Sequence, residues 1–313
     1  MRVVLVGVVN SAKPALEALV SCRAHVAGLF TAEVEHMVSA SNMGKEYFVD
    51  FGPTAEELGI PLKRIVNIND HADEIRSLEP DYIYIIGWPQ MVRSEVLSIA
   101  PCIGMHPAPL PKRRGGAPLN WQIIDGETES AVSLLRLGEG VDDGDILIQV
   151  PFTISPTDYI SDVMDRVCEL AGFAVEKTYP LLETCAEIWN PQDCSRATIM
   201  RRRRPEDGLV NWNDSSKRIF DLVRAVSHPF PGAFTHCGGH VMKIWRAYVP
   251  LGYRPRVRAV PGEILDFVEG AIIVSTRDYC LGLTEIQIDD TVYLDELKLR
   301  EAYGLLAGRV LSQ

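Results

Sequence analysis

The chain alternates between short unbroken apolar runs and stretches in which apolar residues recur every three or four positions. "RVVLVGV" (residues 2–8) is of the first kind. A run that is apolar at every position suits a strand covered on both faces, as in a parallel sheet between helices. "HVAGLFTA" (25–32), "LKRIVNI" (62–68), "DYIYIIGW" (81–88) and "CIGMH" (102–106) read the same way. Between them lie helical patterns: "ALEALVSC" (15–22), with Ser11 as a candidate N-cap and Pro14 near its start, "TAEELGI" (54–60), "DHADEIRSL" (70–78), with Asp70 or His71 near its start, and "SEVLSIA" (94–100). Strand–helix alternation at this spacing predicts an α/β fold with a doubly wound, mostly parallel sheet. Ligands of such sheets bind beyond the carboxyl ends of the strands, where the strand order reverses. His106 and Gly87–Trp88 fall at such ends.

The pattern changes after residue 105. "APLNWQIIDGE" (117–127) reads as a helix, and "AVSLLRL" (131–137) and "DILIQVPFTI" (145–154) as antiparallel strands joined by "GEGVDDG" (138–144). A long helical stretch from about residue 158 to 188 is expected to break near Pro180. "WNPQDCSRATIMRRRRPEDG" (189–208) has the chemistry of a linker. Beyond it come a helix, "DSSKRIFDLVRAV" (214–226), and the β-rich runs "VMKIWRAYV", "GEILDFV", "AIIVST" and "CLGLTEIQI", which predict a small β-barrel. The expected domains are therefore 1–200 and 201–313.

Composition narrows the field of functions. The 313 residues are 47% hydrophobic and 23% charged, ordinary values for a globular protein. No apolar run approaches the roughly 18–20 residues that span a bilayer, and "MRVVLVGVVN" lacks the pattern of a secretory signal. The seven cysteines are scattered, with no C-x-x-C pair, as expected of reduced thiols in the cytoplasm. Charge is uneven. Residues 1–200 hold 15 Lys+Arg against 28 Asp+Glu, and residues 201–313 hold 16 against 14. An acidic body disfavours a polyanion as main partner, because phosphate binding draws on clustered cations. The run Arg201–Arg204 is the basic exception, and reads as a solvated linker segment.

Three candidate chemistries can be weighed on residues alone. A Rossmann dinucleotide site is disfavoured, because "GVVNSA" lacks G-x-G-x-x-G. His228, His236 and His240 fit no zinc spacing, so no metal is expected. The third is His106, which ends a strand and opens "HPAPLPKRRGGAP". Pro107, Pro109 and Pro111 restrict φ at alternate positions, and such stiffness suits a side chain that must be held in place. The acidic turn "GVDDGDIL" offers Asp142, Asp143 and Asp145. It reads as a solvated turn, a cation site or, if Asp142 reaches His106, a partner that orients the imidazole.

"HPAPLPKRRGGAP" followed by "VDDGDIL" resembles the formyltransferase family that uses N10-formyltetrahydrofolate. "MRVVLVGVVNSAKPALEALV" is similar to its first βα unit and "YIIGWPQMV" to its folate-contacting segment. "RRPEDGLVNW" and "RAVSHPFPGAF" resemble the signatures of its C-terminal domain, an OB-like barrel. The resemblance is nearest to the sugar N-formyltransferases, such as the UDP-4-amino-4-deoxy-L-arabinose formyltransferase domain. It implies His106 and Asp142 as catalytic residues. It implies folate contacts at Trp88, Pro89, Gln90, Met91 and Val92, and at Gly138, Glu139, Gly140 and Val141. Where the family has an asparagine two positions before the histidine, this chain has Gly104. A backbone N–H or a water at Gly104, Asn120, or Gln122 is a candidate replacement donor, a slow or dead site being the other outcome, and Gly104→Asn is expected not to abolish activity and to be able to raise it. Lys112, Arg113, Arg114 and Asn120 are expected on the substrate side, with the cations holding a nucleotide diphosphate. The expected substrate is a nucleotide-linked amino sugar, ahead of tRNA and of a small amine. A folate- or sugar-nucleotide-binding homologue without transfer is the alternative that Gly104 motivates. No membrane partner is expected, and a homodimer is a possible assembly.

Overall fold

A computed structural model of the protein describes residues 1–41, 43–184, 189–254 and 259–312. By contacts the chain divides into two compact units. The first comprises Met1–Pro118, Glu129–Ile154 and Asp162–Arg202, and the second Leu119–Thr128, Ser155–Ser161 and Arg203–Gln313. Two short segments from early in the chain thus belong to the second unit, a grouping that linear composition does not register.

The first unit is built on strands β1 (Arg2–Val6), β2 (His25–Thr31), β3 (Leu62–Arg64), β4 (Tyr82–Ile85), β5 (Cys102–His106), β6 (Glu129–Arg136) and β7 (Ile146–Thr153). Their order is β3-β2-β1-β4-β5-β6-β7. The first five are parallel, and β5–β6 and β6–β7 are antiparallel. The helices that follow are α1 (Ala12–Ser21), α2 (Val34–Ser41), α3 (Gly52–Leu58), α4 (Ala72–Ser77) and α5 (Ser94–Leu97).

The unbroken apolar runs are explained by the two faces of the sheet. Val3 and Leu5 of β1 pack into a core with Leu16 and Leu19 of α1, while Val4 and Val6 pack on the other side with Ile68, Ile75 and Val96. Burial of each such side chain stabilises by about 1.5–3 kcal/mol. The strand order reverses between β1 and β4, so the loops after β1, β4 and β5 meet at one carboxyl edge.

Several local expectations are revised. Ser11 occupies the N-cap position of α1, but its hydroxyl does not cap. Backbone bonds from Ala12 N to Val9 O and Lys13 N to Asn10 O open the helix instead. "LKRIVNI" is a strand only over Leu62–Arg64, where β2 is its single neighbour in the sheet. Helix α7 (Ile160–Glu183) runs through Pro180. The proline removes the bond to the carbonyl of Glu176, and both residues lie on an exposed face where water can serve that carbonyl. The expected end of this helix, near 188, lies outside the described residues.

The second unit contains most of α6 (Pro118–Ile124), then α8 (Ser216–Val226), β8 (Ala233–Cys237), β9 (His240–Tyr248), β10 (Ile264–Val268), β11 (Ala271–Ser275), β12 (Cys280–Ile288), β13 (Thr291–Tyr293) and α9 (Glu296–Leu306). The antiparallel order is β8-β9-β12-β11-β10, with β13 on β12. The C-terminal segment joins the two edges. Ser312 exchanges both backbone bonds with His236 of β8, while Ile264 N of β10 donates to Arg309 O and Leu311 N donates to Gly262 O. Helix α9 was not expected, because its apolar positions are mixed with exposed leucines such as Leu297 and Leu305. No helix among the described residues is long and apolar enough to cross a membrane.

Arg224 of α8 is 2% exposed. Its Nε donates to Asp221 Oδ1 at 3.0 Å and its Nη1 to Asp158 O at 2.9 Å, and Lys217 Nζ reaches the other carboxylate oxygen at 2.6 Å. Without Arg224, Asp221 keeps Lys217 but loses its buried charged partner, and the carbonyl of Asp158 loses a donor. Arg224→Ala is therefore expected to destabilise the second unit by about 1.5–3 kcal/mol, the scale of a hydrogen bond to a charged group, read as a lowered Tm and urea midpoint. A change under about 1 kcal/mol, the scale of an exposed pair, would contradict it.

Candidate active site

His106 is the last residue of β5 and is 5% exposed. Its Nε2 lies 2.7 Å from Arg113 O. A carbonyl only accepts, so Nε2 carries the proton of that bond. Nδ1 lies 3.5 Å from Asp142 Oδ2. The charge state of the ring is therefore decided at Nδ1, opposite the carboxylate. The contact is long for a hydrogen bond and is better described as a facing pair.

Each partner is held by further bonds. The loop after His106 is fixed from beneath, where Ser133 Oγ donates to Ala108 O at 2.7 Å and Gln149 Nε2 donates to Leu110 O at 2.8 Å. The turn at 113–115 is laid against the stretch that had read as a linker. Arg113 N donates to Thr198 Oγ1, Arg114 N to Thr198 O and Gly116 N to Met200 O, in a short parallel ladder with Ile199–Met200. Gly115 has φ +95°, and a Cβ there would lie 2.5 Å from Met200 O, so only glycine fits. Its N–H donates to Asp142 Oδ2 at 2.8 Å.

The β6–β7 loop crosses the face of β5. Leu137 lies over Gly104 and Asp142 over His106. Asp142 itself is left-handed, at φ +50°.

Gly104 is where the structure changes the sequence argument most. A Cβ at 104 would lie 2.4 Å from Leu137 Cδ2 and 2.8 Å from its Cγ. The room that an asparagine would need is filled by leucine, so Gly104→Asn requires Leu137 to shift. Asn120 belongs to the second unit, buried, with Nδ2 donating to Ala225 O at 2.7 Å. Gln122 is also buried there. Neither amide lies in the unit that holds His106.

The other expected residues divide between outward-facing and internally bonded. Lys112 is exposed and Arg113 half-buried, with Nη1 3.7 Å from Met200 Sδ. Arg114, expected as a phosphate ligand, is 6% exposed. Its guanidinium donates to Gln192 Oε1 at 3.1 and 2.8 Å and to Cys194 Sγ at 3.7 Å. Of the folate segment, Gln90 receives Ile68 N at 3.4 Å and donates to Val66 O. Pro89 O receives Arg202 Nη2 at 2.9 Å, and Met91 O receives Asn69 Nδ2 at 3.0 Å. Val92 is buried in the core, and Met91 is exposed. The Trp88 indole is half-buried, and its Nε1 is buried without a hydrogen-bond partner. Gly138, Glu139, Gly140 and Val141 are exposed. A shallow depression of about 370 Å³ lined by Leu97–Cys102, Arg136 and Leu137 lies at the start of β5, away from His106.

Sequence reasoning missed Gln192, Thr198, Ser133 and Gln149. The first two sat in apparent linker composition, and the last two are ordinary polar residues of strands.

The family model "Formyl transferase" matches residues 16–177, and "Formyl transferase, C-terminal domain" matches 202–296. The first alone covers more than half of the chain. The protein therefore belongs to the formyl transferase family. Among solved structures, it is similar to HypX from Aquifex aeolicus in complex with tetrahydrofolic acid, at 20% identity and TM-score 0.69 over 98% of this chain and 48% of that one. The chain thus spans about half the length of HypX. Methionyl-tRNA formyltransferase from Clostridium thermocellum matches at 18% identity and TM-score 0.59, over 93% of this chain and 100% of that one. The N-formyltransferase from Helicobacter canadensis, in complex with folinic acid and dTDP-3-aminofucose, matches at 16% and 0.64, over 90% and 98%. At these identities the likeness is one of fold.

Gly104→Asn alone is expected to lower stability by about 1–3 kcal/mol, the range for overpacking a filled site. Adding Leu137→Ala should recover most of that loss by opening the space. Thermal denaturation of the single and double variants checks both statements, and an undisturbed single variant would show that Leu137 moves aside freely.

Proposed function

We propose that the protein transfers the formyl group of N10-formyltetrahydrofolate to the primary amine of a nucleotide-linked amino sugar, with His106 and Asp142 as its catalytic residues. The facing of imidazole and carboxylate at the carboxyl end of β5, in a chain of this family, is the observation that supports the reading most. The amine nitrogen attacks the formyl carbon and the carbonyl electron pair moves onto oxygen. The intermediate then collapses, breaking the bond from carbon to N10, which takes a proton to give tetrahydrofolate. The amine gives up one proton in forming the amide.

With Nε2–H anchored on Arg113 O, Nδ1 is the working nitrogen. In its protonated form it donates to the developing oxyanion, and in its neutral form it accepts the amine proton, with Asp142 setting its orientation. A donor aimed at an oxyanion lowers the barrier by roughly 3–4 kcal/mol. The 3.5 Å gap between Nδ1 and Oδ2 leaves the pair uncommitted to each other, open to a third oxygen. For the folate, the indole N–H of Trp88 is a buried donor awaiting an acceptor, and the exposed 138–141 loop supplies backbone groups.

The acceptor rests on charge. The acidic first 200 residues disfavour tRNA, while exposed Lys112 and half-buried Arg113 remain placed to meet a diphosphate. The Helicobacter relative with bound dTDP-3-aminofucose supports the same choice. The scattered cysteines support a cytoplasmic setting. One observation favours a second reading. Leu137 over Gly104 puts an apolar wall where a side-chain donor would assist, as expected of a homologue that binds folate without transfer to an amine.

His106→Ala is expected to lower formyl transfer by about 10²-fold or more with the fold retained, by circular dichroism. The assay uses N10-formyltetrahydrofolate with a panel of 3-amino and 4-amino UDP- and dTDP-sugars beside charged initiator tRNA. Unchanged turnover in the variant removes His106 from the mechanism. Formylation of the tRNA alone reverses the choice of acceptor, and folate binding without any amide product selects the second reading.

A further inference from the structure

We infer that Gln192, in the segment after α7, is a positioning residue for the His106–Asp142 pair. This rests on the reading of that pair as the reacting groups. The side chain makes four bonds, and all of them land on the two segments that hold the pair. Its Nε2 donates to Asp142 O at 2.8 Å and to Gly144 O at 2.7 Å. Its Oε1 accepts from Arg114 Nε at 3.1 Å and Nη2 at 2.8 Å.

Asp142 and Arg114 are the points where these segments need support. Asp142 holds a left-handed backbone at φ +50°, which a non-glycine residue keeps only when its surroundings over-determine it. Its carbonyl is bound by Gln192, and its carboxylate by Gly115 N. Arg114 lies between the carbonyl that anchors His106 Nε2, that of Arg113, and the N–H that anchors Asp142 Oδ2, that of Gly115. Gln192 thus closes a circuit running from His106 through Arg113, Arg114, Gln192 and Asp142 back to the imidazole. Only a primary amide of this length offers two donors on one side and an acceptor on the other. A carboxylate would keep the bonds to Arg114 but would oppose the two carbonyls.

Gln192→Glu separates the two halves of the role. The full-length protein, labelled with ¹⁵N at histidine, is compared as wild type, Gln192→Glu and Asp142→Asn. The His106 ring nitrogens are expected to shift in Gln192→Glu in the same sense as in Asp142→Asn, while those of His240 stay put. With N10-formyltetrahydrofolate and whichever amine of the panel is accepted, kcat should fall about tenfold or more, the scale of a small misplacement of reacting groups. KM for both substrates should change by less than about threefold, because the bonds of the Gln192 side chain all go to the protein's own groups.

In the Asp142→Asn background the same substitution should add little further loss. His106 signals that move in Asp142→Asn but not in Gln192→Glu would overturn the inference and leave the catalytic pair standing. Signals indifferent to Asp142→Asn would overturn the pair itself, and the inference with it. If Gln192→Glu does not fold, Gln192→Met, which is of similar length and lacks the amide, carries the same comparison. Loss of fold in both makes Gln192 a structural residue and ends the proposal.

Discussion

The site depends on one hydrogen bond, from His106 Nε2 to the carbonyl of Arg113. It fixes Nε2 as the donor nitrogen and leaves Nδ1 facing the carboxylate of Asp142. Everything around it serves to keep that carbonyl still. The proline-rich loop supplies stiffness, Ser133 and Gln149 tie it to the sheet, and the ladder with Ile199–Met200 holds its far end. Functional groups generally have to be held within about half an ångström of their working positions, so a drifting carbonyl would loosen the imidazole from its facing carboxylate.

Rigidity of this kind is concentrated in unusual backbone. Arg113 at φ +64°, Gly115 at +95°, Ala117 at +52° and Asp142 at +50° lie within the two loops of the site. Non-glycine residues in this region cost of order 1–3 kcal/mol each, and they persist where neighbouring bonds leave no alternative. Here the neighbours are Thr198, Met200 and Gln192, all from a stretch after α7. The segment that follows the long helix therefore acts as a brace. It lies against the turn at 113–115 and holds it at the spacing the imidazole needs.

The sheet was legible because its physics is local. Strands buried on both faces must be apolar at every position, and β1, β4 and β5 show it. His106 stood out because prolines mark its loop, and clustered acids marked the turn at 142–145, though only the family resemblance singled out Asp142 among them. Other features depended on what the chain meets after folding. Pro180 looked like a helix breaker until its helix exposed the orphaned carbonyl to water. Arg114 looked like a phosphate ligand until burial turned its guanidinium onto Gln192. Gln192 itself sits in "NPQD", where proline and aspartate speak only of a turn. Its bonding lies in four distances that no periodicity records.

Leu137 carries that argument furthest. In sequence it is the last residue of an apolar strand, and nothing distinguishes it from Leu134 or Leu135. In the structure it fills the space beside Gly104, so that glycine and leucine are one packing solution rather than two independent residues. An amide at 104 would have required a smaller residue at 137, and a leucine at 137 requires glycine at 104. In the proposed reaction, an apolar wall at this point leaves His106 Nδ1 and the backbone as the donors to negative charge. A hydrogen bond shielded from water interacts more strongly with the charge it reaches. On the proposed reading, a site with one imidazole and no second side-chain donor depends steeply on where that imidazole is placed, and the close bracing of the 113–115 turn is consistent with that dependence.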